Sequence, residues 1–259
     1  MIFAIDAGNT YIVAGGLTDG AVSFISTLST DKNKTADEYA ILLRNLLILH
    51  EADHTAIRGA IISCVVPSLT ARLRDAVEQV TGQRALIVGP GIKTGLNILL
   101  DNPGQMGSDL VCVAIGARER YPLPVVTVDM GTATILGVLD AAGNYIGGAI
   151  CPGMPLSLAA LTSGTSQLPN IELTPPDRVI GRSTVECMQS GHLYGFASML
   201  DGMLDRFEVE LSTTPTVVFT GEHAENMAQL CRRDGIITDP HLILRGLWLI
   251  YERNYKSHG

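Results

Sequence analysis

The chain has 259 residues, of which 46% are hydrophobic and 17% charged, so it can bury a large core and does not have the composition of a disordered protein. The net charge of −8 argues against nucleic-acid or acidic-membrane partners, but not against a phosphate held by backbone N–H groups and Mg²⁺. Five scattered cysteines favour reduced thiols over a disulfide framework or a zinc site. Because no signal peptide or bilayer-length apolar run occurs, we expect a cytoplasmic protein with no membrane partner.

The first half of the chain is predicted to combine strands and helices. Three strands form a meander, with a turn at Thr18–Gly20, and Thr35–Glu38 resembles a capping box that opens the first helix. Pro67 begins the next helix. The predicted elements are strands over 2–5, 11–17 and 21–28, a helix from 36, a strand over 59–66, a helix over 67–82, a strand over 85–88 and a helix over 108–120.

The second half restarts at Val125 with a hairpin like the one that opens the chain. A glycine- and proline-rich turn is predicted over Gly147–Gly153, leading into a short helix near 156–161. Then come a long helix over 184–211, a strand over 216–220 and a terminal helix over 240–251. Since no long linker appears, we expect two tightly packed halves, residues 1–117 and 118–259.

A short turn pattern occurs once in each half. Asp6-Ala7-Gly8-Asn9-Thr10 and Asp129-Met130-Gly131-Thr132-Ala133-Thr134 each follow an apolar strand and precede another. A carboxylate at the end of a strand can hold hydrated Mg²⁺ or another cation, and glycine lets the backbone approach phosphate oxygens. The alternative is a hairpin in which Asp and Gly only make the turn. Two copies about half a chain apart favour a nucleotide phosphate site.

Two further side chains are candidates for chemistry. Asp109 follows the loop Asn102–Gly107 and lies near the start of a predicted helix. It is either a first-turn carboxylate favoured by the helix dipole or a general base that takes a proton from an attacking hydroxyl. Thr184 follows Gly181-Arg182-Ser183, and this spacing by itself favours a helix cap.

Taken in order, these segments resemble those of type III pantothenate kinases, in the acetate kinase/sugar kinase/Hsp70/actin superfamily. The resemblance covers nearly the whole chain. The matching segments are Asp6–Thr10, Asn102–Asp109, Asp129–Thr134, Gly147–Gly153, Gly181–Gly195 and Asp239–Leu247. It implies an α/β fold of two ribonuclease-H-like (actin-like ATPase) domains with mixed sheets and a cleft between them, assembled as a homodimer.

The resemblance also implies a reaction: ATP-dependent phosphorylation of pantothenate to 4'-phosphopantothenate, the first step of coenzyme A biosynthesis, with Mg²⁺ and a monovalent cation (K⁺ or NH₄⁺). By position, Asp109 would be the base, Thr132 would contact ATP and Asp129 would bind the monovalent cation. The first phosphate loop would comprise Asp6, Ala7, Gly8, Asn9, Thr10, Tyr11, Ile12 and Val13. The substrate-side positions would be Leu100, Gly107, Ser108, Asp109, Leu110 and Thr184.

Several positions depart from the family pattern. The usual Gly-Ala-Asp-Arg is here Gly107-Ser108-Asp109-Leu110, and leucine cannot replace the charge or the bidentate hydrogen bonds of a guanidinium. An expected Tyr appears as Leu100 and an expected Asn as Val113. The usual Thr-Gly-Gly of the second nucleotide segment is Thr220-Gly221-Glu222. The phosphate and cation positions are therefore largely kept, whereas three polar substrate positions have become apolar.

Three functions are compatible with this pattern. The first is a pantothenate kinase that tolerates the changes. The second is a paralogue that phosphorylates a different, more apolar alcohol. The third is a nucleotide-binding accessory or regulatory protein without kinase activity, since losing one transition-state charge contact can lower a rate by over a hundredfold, on the order of 3 kcal/mol. The presence of Asp6, Asp109 and Asp129 argues against the loss of all chemistry.

Overall fold

The computed structural model describes residues 1–255, which form two compact units. Unit 1 is Met1–Arg120 together with the C-terminal segment from His241, and unit 2 is Tyr121–Pro240. The strands are β1 Ile2–Ala7, β2 Tyr11–Thr18, β3 Ala21–Ser29, β4 Gly59–Cys64, β5 Leu86–Ile87, β6 Val125–Met130, β7 Ala133–Leu139, β8 Tyr145–Pro152, β9 Thr216–Gly221 and β10 Ile237–Thr238. The helices are α1 Ala36–Leu49, α2 Pro67–Thr81, α3 Ser108–Arg120, α4 Met154–Ser163, α5 Thr184–Leu211, α6 Ala224–Leu230 and α7 Leu242–Tyr255, with short 3₁₀ helices at His54–Ala56 and Pro103–Gln105.

Unit 1 is built on a mixed sheet in the order β3-β2-β1-β4-β5. The central strand β1 is antiparallel to β2 and parallel to β4, and both of its faces are buried. Phe3 and Ile5 pack on the side covered by α1 and α2, whereas Ile2 and Ala4 pack on the side covered by α3 and α7. This two-sided burial explains why β1 is a continuous apolar run rather than an alternating one.

Unit 2 repeats this arrangement. Its mixed sheet has the order β10-β9-β6-β7-β8, with β6 antiparallel to β7 and parallel to β9, as β1 is to β2 and β4. Its core includes Val126 and Val128 from β6 together with Leu200 and Leu204 from α5. The predicted α/β class with two mixed sheets is confirmed, and the repeated connectivity explains why the Asp-x-Gly turn occurs twice.

One predicted element is wrong. Residues 147–153 are not simply a turn, because most of them belong to the strand β8, which pairs with β7 along the edge of the second sheet. Gly148 is required there because a Cβ at this position would collide with the backbone of Leu136, whose carbonyl carbon would lie 3.0 Å away. The glycines that suggested a turn therefore serve close strand pairing. The short helix α6, of 7 residues, was not predicted.

The C-terminal helix does not belong to the half in which the sequence analysis places it. The predicted second half is residues 118–259, but α7 packs in unit 1 against α3 and the central sheet. Leu244, Leu247 and Ile250 of α7 are fully buried in the same cluster as Ile2 and Ile115. Unit 1 is therefore discontinuous in sequence, and unit 2 is an insertion between α3 and α7. None of the helices within residues 1–255 is long and apolar enough to cross a membrane.

Candidate active site

The first Asp-x-Gly turn connects β1 and β2 in unit 1. The Gly8 N–H donates a hydrogen bond to the Tyr11 carbonyl at 2.9 Å. From the end of β3, Thr30 donates through its hydroxyl to the Gly8 carbonyl at 2.8 Å and through its N–H to the Thr10 carbonyl at 2.9 Å. Asn9 and Thr10 are exposed. The backbone of the turn is thus fixed, while its polar side chains remain accessible.

The flanking residues of this predicted phosphate loop divide by burial. Asp6 and Val13, which are register partners across β1 and β2, are half-buried, and Tyr11 is 43% exposed. Ala7 and Ile12 are fully buried in the core of unit 1. Their side chains stabilise the sheet, so only their backbone groups are left to meet a ligand.

Asp109 lies in the first turn of α3, as predicted. Its carboxylate is half-buried, and Oδ1 accepts a hydrogen bond from the Leu110 N–H at 2.8 Å. Burial raises the pKa of Asp109 above its usual value, and hydrogen bonds from backbone N–H groups oppose this shift only in part. A carboxylate with a raised pKa is a better proton acceptor than an exposed one, as a general base requires.

Asp6 and Asp109 belong to one cluster of polar groups. The pKa of the Cys112 thiol is raised well above its usual value. The largest cause is complete burial, and the negative charges of Asp6 and Asp109 add to it. Ser63, fully buried on β4, is the register partner of Asp6, and its Oγ lies 2.9 Å from the Oγ of Ser108. The structure therefore brings together Asp6 and Asp109, which the sequence singled out, around hydroxyl and thiol groups.

Of the remaining predicted substrate positions of unit 1, Gly107 and Leu110 lie at the start of α3, and Leu100 lies earlier in the chain. The Gly107 carbonyl accepts the Val111 N–H at 3.2 Å and so begins the helical hydrogen-bond pattern. Leu110 is half-buried beside the base, and Leu100 is half-buried in the segment that precedes the 3₁₀ helix Pro103–Gln105. Neither leucine offers a charge or a side-chain hydrogen bond to a substrate.

The second Asp-x-Gly turn connects β6 and β7 in unit 2. Asp129 is half-buried near the end of β6, and Thr132 is exposed at the turn. The Gly131 N–H donates to the Ala133 carbonyl, and the Gly153 N–H donates to the Thr132 carbonyl, each at 3.0 Å. A Cβ at Gly153 would lie 2.6 Å from the Thr132 carbonyl oxygen, so the chain after β8 supports this turn by close backbone contact.

Thr184 is the first residue of α5 in unit 2 and is exposed. The alternative in which it caps this helix is wrong, because Ser183 is the cap. The Ser183 hydroxyl accepts the Glu186 N–H at 3.2 Å, and the Arg182 N–H donates to Glu186 Oε2 at 2.6 Å. Capping therefore does not account for the Thr184 hydroxyl.

One buried hydroxyl residue beside a carboxylate was not predicted, and a second was noted only as part of the segment Thr220–Glu222. Ser63 on β4 is the partner of Asp6, and Thr220 on β9 occupies the equivalent position beside Asp129. They are 0% and 3% exposed. In the sequence, each is a single hydroxyl residue near the end of an apolar strand. This pattern indicates a neighbour of a carboxylate only when the register with the adjacent strand is known.

The carboxylates of the two Asp-x-Gly turns are suited to a metal ion that binds together with a nucleotide. Within the described residues, no group of three or more His, Cys, Asp or Glu side chains is arranged to hold a metal ion. Asp6 and Asp129 instead offer carboxylates at the ends of strands. Mg²⁺ is usually bound through one or two carboxylates, water and substrate phosphates, so these residues suit it without a dedicated protein cage.

Comparisons with known proteins match the chain to one family over most of its length. A family model described as type III pantothenate kinase matches residues 2–206. A type III pantothenate kinase from Bacillus cytotoxicus is 39% identical over 254 residues, covering 98% of this chain and 97% of the relative. Another from Brevibacillus brevis is 42% identical over 254 residues, covering 98% and 99%.

The fold also occurs in a solved ATP-analogue complex. The activator of 2-hydroxyisocaproyl-CoA dehydratase from Clostridium difficile, with bound ADPNP, is similar with a TM-score of 0.58 and 15% identity, covering 99% of this chain and 96% of that one. At this identity the likeness shows the fold alone. From the family match and the identity to the two relatives over almost their whole length, the chain belongs to the type III pantothenate kinase family.

Proposed function

We propose that the chain transfers the γ-phosphoryl group of ATP to the terminal hydroxyl of pantothenate, the first step of coenzyme A biosynthesis. Both relatives described above carry the name of this activity. The observation that carries the proposal is the half-buried carboxylate of Asp109 at the start of α3, in the same cluster as Asp6. No observation favours a non-catalytic accessory role or a different alcohol.

Asp109 is proposed to be the general base. Its carboxylate takes the proton of the pantothenate hydroxyl while that oxygen forms a bond to the γ-phosphorus and the bond to the β,γ-bridging oxygen breaks. The products are 4'-phosphopantothenate and ADP, and the proton remains on Asp109. The hydrogen bond from the Leu110 N–H to Oδ1 holds the carboxylate in place. We propose that Gly107 and Ser108 contact pantothenate through their backbone groups and Thr184 through its hydroxyl, together with Leu100 and Leu110 through apolar surface.

The two Asp-x-Gly turns are proposed to serve ATP. In unit 1, the loop from Asp6 to Val13 would contact the phosphates through Asn9, Thr10 and backbone groups. In unit 2, Thr132 would contact ATP through its exposed hydroxyl. When bound, Mg²⁺ neutralises phosphate charge. Asp6 is suited to hold hydrated Mg²⁺ and Asp129 to hold the monovalent cation, K⁺ or NH₄⁺, because carboxylates are ligands for such hard cations.

We further propose that the protein acts as a cytoplasmic homodimer. The family resemblance suggests the dimer, and unit 2 exposes large apolar side chains that are candidates for an interface. Ile150 is 73% and Ile180 83% exposed. Light scattering during size-exclusion chromatography is expected to give twice the mass of one chain. The mass of a single chain at micromolar concentration would contradict the proposal.

The test of the reaction is coupled ADP release by purified protein with Mg-ATP, pantothenate and K⁺. We expect turnover that requires pantothenate and that falls by at least about 100-fold in Asp109→Asn, the scale of losing a general base. Mass spectrometry of the product should show one added phosphoryl group. If ADP release does not depend on pantothenate, the proposed reaction is wrong. If Asp109→Asn has the same turnover as the wild type, the proposed base is wrong.

A further inference from the structure

Ser108, the residue before the base, carries a hydroxyl where the family pattern described above has alanine. This hydroxyl faces a specific partner, because its Oγ lies 2.9 Å from the Oγ of Ser63 on β4. The contact joins residues 45 positions apart in the sequence. It therefore ties the first turn of α3 to the central sheet.

Ser63 faces α3 from the central sheet. Its side chain is fully buried and is also near the thiol of Cys112, whose pKa it lowers against the larger effect of burial. Ser108 and Cys112 are four residues apart and so lie on the same face of α3. On β4 the register partner of Ser63 is Asp6 on the neighbouring strand. One buried hydroxyl thus connects the strand beside Asp6 with the helical turn that carries Asp109.

We propose that Ser63 and Ser108 are positioning residues, whose hydrogen bond holds the first turn of α3 on β4 and thereby fixes the Asp109 carboxylate relative to Asp6. The inference rests on the proposed role of Asp109 as the base. It assigns no contact with the reacting atoms to either serine of the pair.

The first turn of a helix is held less firmly than its middle, because its first N–H groups have no partners within the helix. A side-chain hydrogen bond such as that between Ser63 and Ser108 can therefore fix the position of this turn. Catalysis is sensitive to the result, since a misplacement of about 1 Å can lower a rate roughly 100-fold. A hydrogen bond with a merely structural role would instead contribute to stability, so that its loss would lower Tm and leave kcat unchanged. Ser108→Ala introduces a better helix former, so poor helix propensity would not explain a loss of activity in this variant.

The experiment compares Ser63→Ala, Ser108→Ala, the double variant and Ser108→Thr by kcat, KM and Tm. We expect kcat to fall about tenfold in each alanine variant, with both KM values within about twofold, because orientation is lost rather than binding. The double variant should be no slower than the slower single variant, since both remove one shared interaction. Ser108→Thr keeps the hydroxyl and should restore kcat to within about threefold of the wild type.

The matched control is Ser26→Ala. It removes another side-chain hydroxyl contact of unit 1, the 2.7 Å contact between Ser26 Oγ and His50 Nε2, which lies outside the cluster. Its kcat should equal that of the wild type even if its Tm falls.

The inference is overturned if the alanine variants lose Tm but keep kcat, or if Ser108→Thr is as slow as Ser108→Ala. Asp109→Asn, measured alongside, separates the two proposals. If it is inactive while the serine variants are fully active, only the positioning role fails. If it has wild-type kcat, the base and the positioning role fail together.

Discussion

The proposed catalytic role of Asp109 falls on a carboxylate whose environment opposes its charge. Burial raises its pKa, and the base acts only when the carboxylate is ionised. We therefore expect kcat, measured at saturating ATP and pantothenate, to fall in acid through an apparent pKa above that of an ordinary aspartate. Coupled ADP release over a range of pH gives the profile. An acid limb at or below the usual aspartate pKa would show that Asp109 is not the titrating base.

The same burial predicts the sign of a stability change. Because the folded-state pKa of Asp109 is raised, the folded protein binds more protons than the unfolded chain between the two pKa values, and stability falls as pH rises through that window. Asp109→Asn removes the buried charge but keeps an oxygen for the Leu110 N–H. We expect its Tm at neutral pH to equal or exceed that of the wild type, with the difference shrinking in acid. A clearly lower Tm at neutral pH would contradict this account.

Leu110 marks the main departure from the family pattern, and its replacement can be tested directly. Leu110→Arg restores a guanidinium beside the base, and one charge-assisted hydrogen bond to a carboxylate or phosphate should raise kcat/KM for pantothenate about tenfold. Leu110→Lys is the matched control, because it restores the charge without the planar fork and should gain less. A Leu110→Arg enzyme no better than the wild type would mean that the pocket no longer accepts the guanidinium.

The sequence predicted some residues of the candidate site and not others, for a physical reason. Asp6, Asp129 and Asp109 were recognisable because glycine turns and helix starts are encoded by neighbouring residues. Ser63 became a candidate, and Thr220 was recognised as the neighbour of Asp129, only when the parallel register of β4 and β9 placed them beside those carboxylates. Register between strands distant in sequence depends on tertiary packing, which no short pattern specifies.

The support that Gly153 gives to the second turn leads to a prediction for that element. A Cβ there would overlap the Gly131 carbonyl oxygen and lie 2.6 Å from that of Thr132, so backbone must move. We expect Gly153→Ala to lower the free energy of unfolding by about 1–3 kcal/mol, as overpacking does, and to raise KM for ATP through displacement of Thr132. Urea unfolding and steady-state kinetics measure the two effects.

Gly89→Ala is the control for this substitution, because no atom lies within 4 Å of a Cβ built at Gly89. Its stability should stay within about 0.5 kcal/mol of the wild type, as for most surface substitutions, and its KM for ATP should not change. An equal effect of the two alanines would show that the close contact at Gly153 does not support the turn.

Elements with local start signals were predicted well. The Thr35–Glu38 capping box is formed in full, and Pro67 is the first residue of α2. The strand β8 was missed because Gly147 and Gly148 signal a turn in local sequence, whereas the tight pairing with β7 that requires Gly148 is a tertiary contact. Prediction from local sequence therefore fails where a glycine is required by close contact with a residue distant in sequence.

The discontinuous unit 1 makes a prediction about fragments. Residues 1–120 alone lack α7, whose Leu244, Leu247 and Ile250 are fully buried in the core of that unit. Removing large buried side chains costs about 2–5 kcal/mol each, against a total stability of about 5–15 kcal/mol. We expect fragment 1–120 to show no cooperative thermal unfolding by circular dichroism.

A fusion of 1–120 to 241–259 through a flexible Gly/Ser linker is the matched control and should unfold cooperatively. Cooperative unfolding of 1–120 without α7 would show that the helix is dispensable. The sequence predicted a terminal helix over 240–251, but it could not reveal which sheet the helix covers, because apolar faces are not specific for one partner.

The return of α7 to unit 1 sets an order of events during synthesis on the ribosome. Unit 2 is continuous over Tyr121–Pro240 and is complete before α7 has been translated. Domains generally fold as units as they emerge. Here the unit that begins first is finished last, and it carries both Asp6 and Asp109. In a nascent chain, Asp6 and Asp109 therefore lie in an incompletely folded unit until α7 has left the ribosome and packed against unit 1.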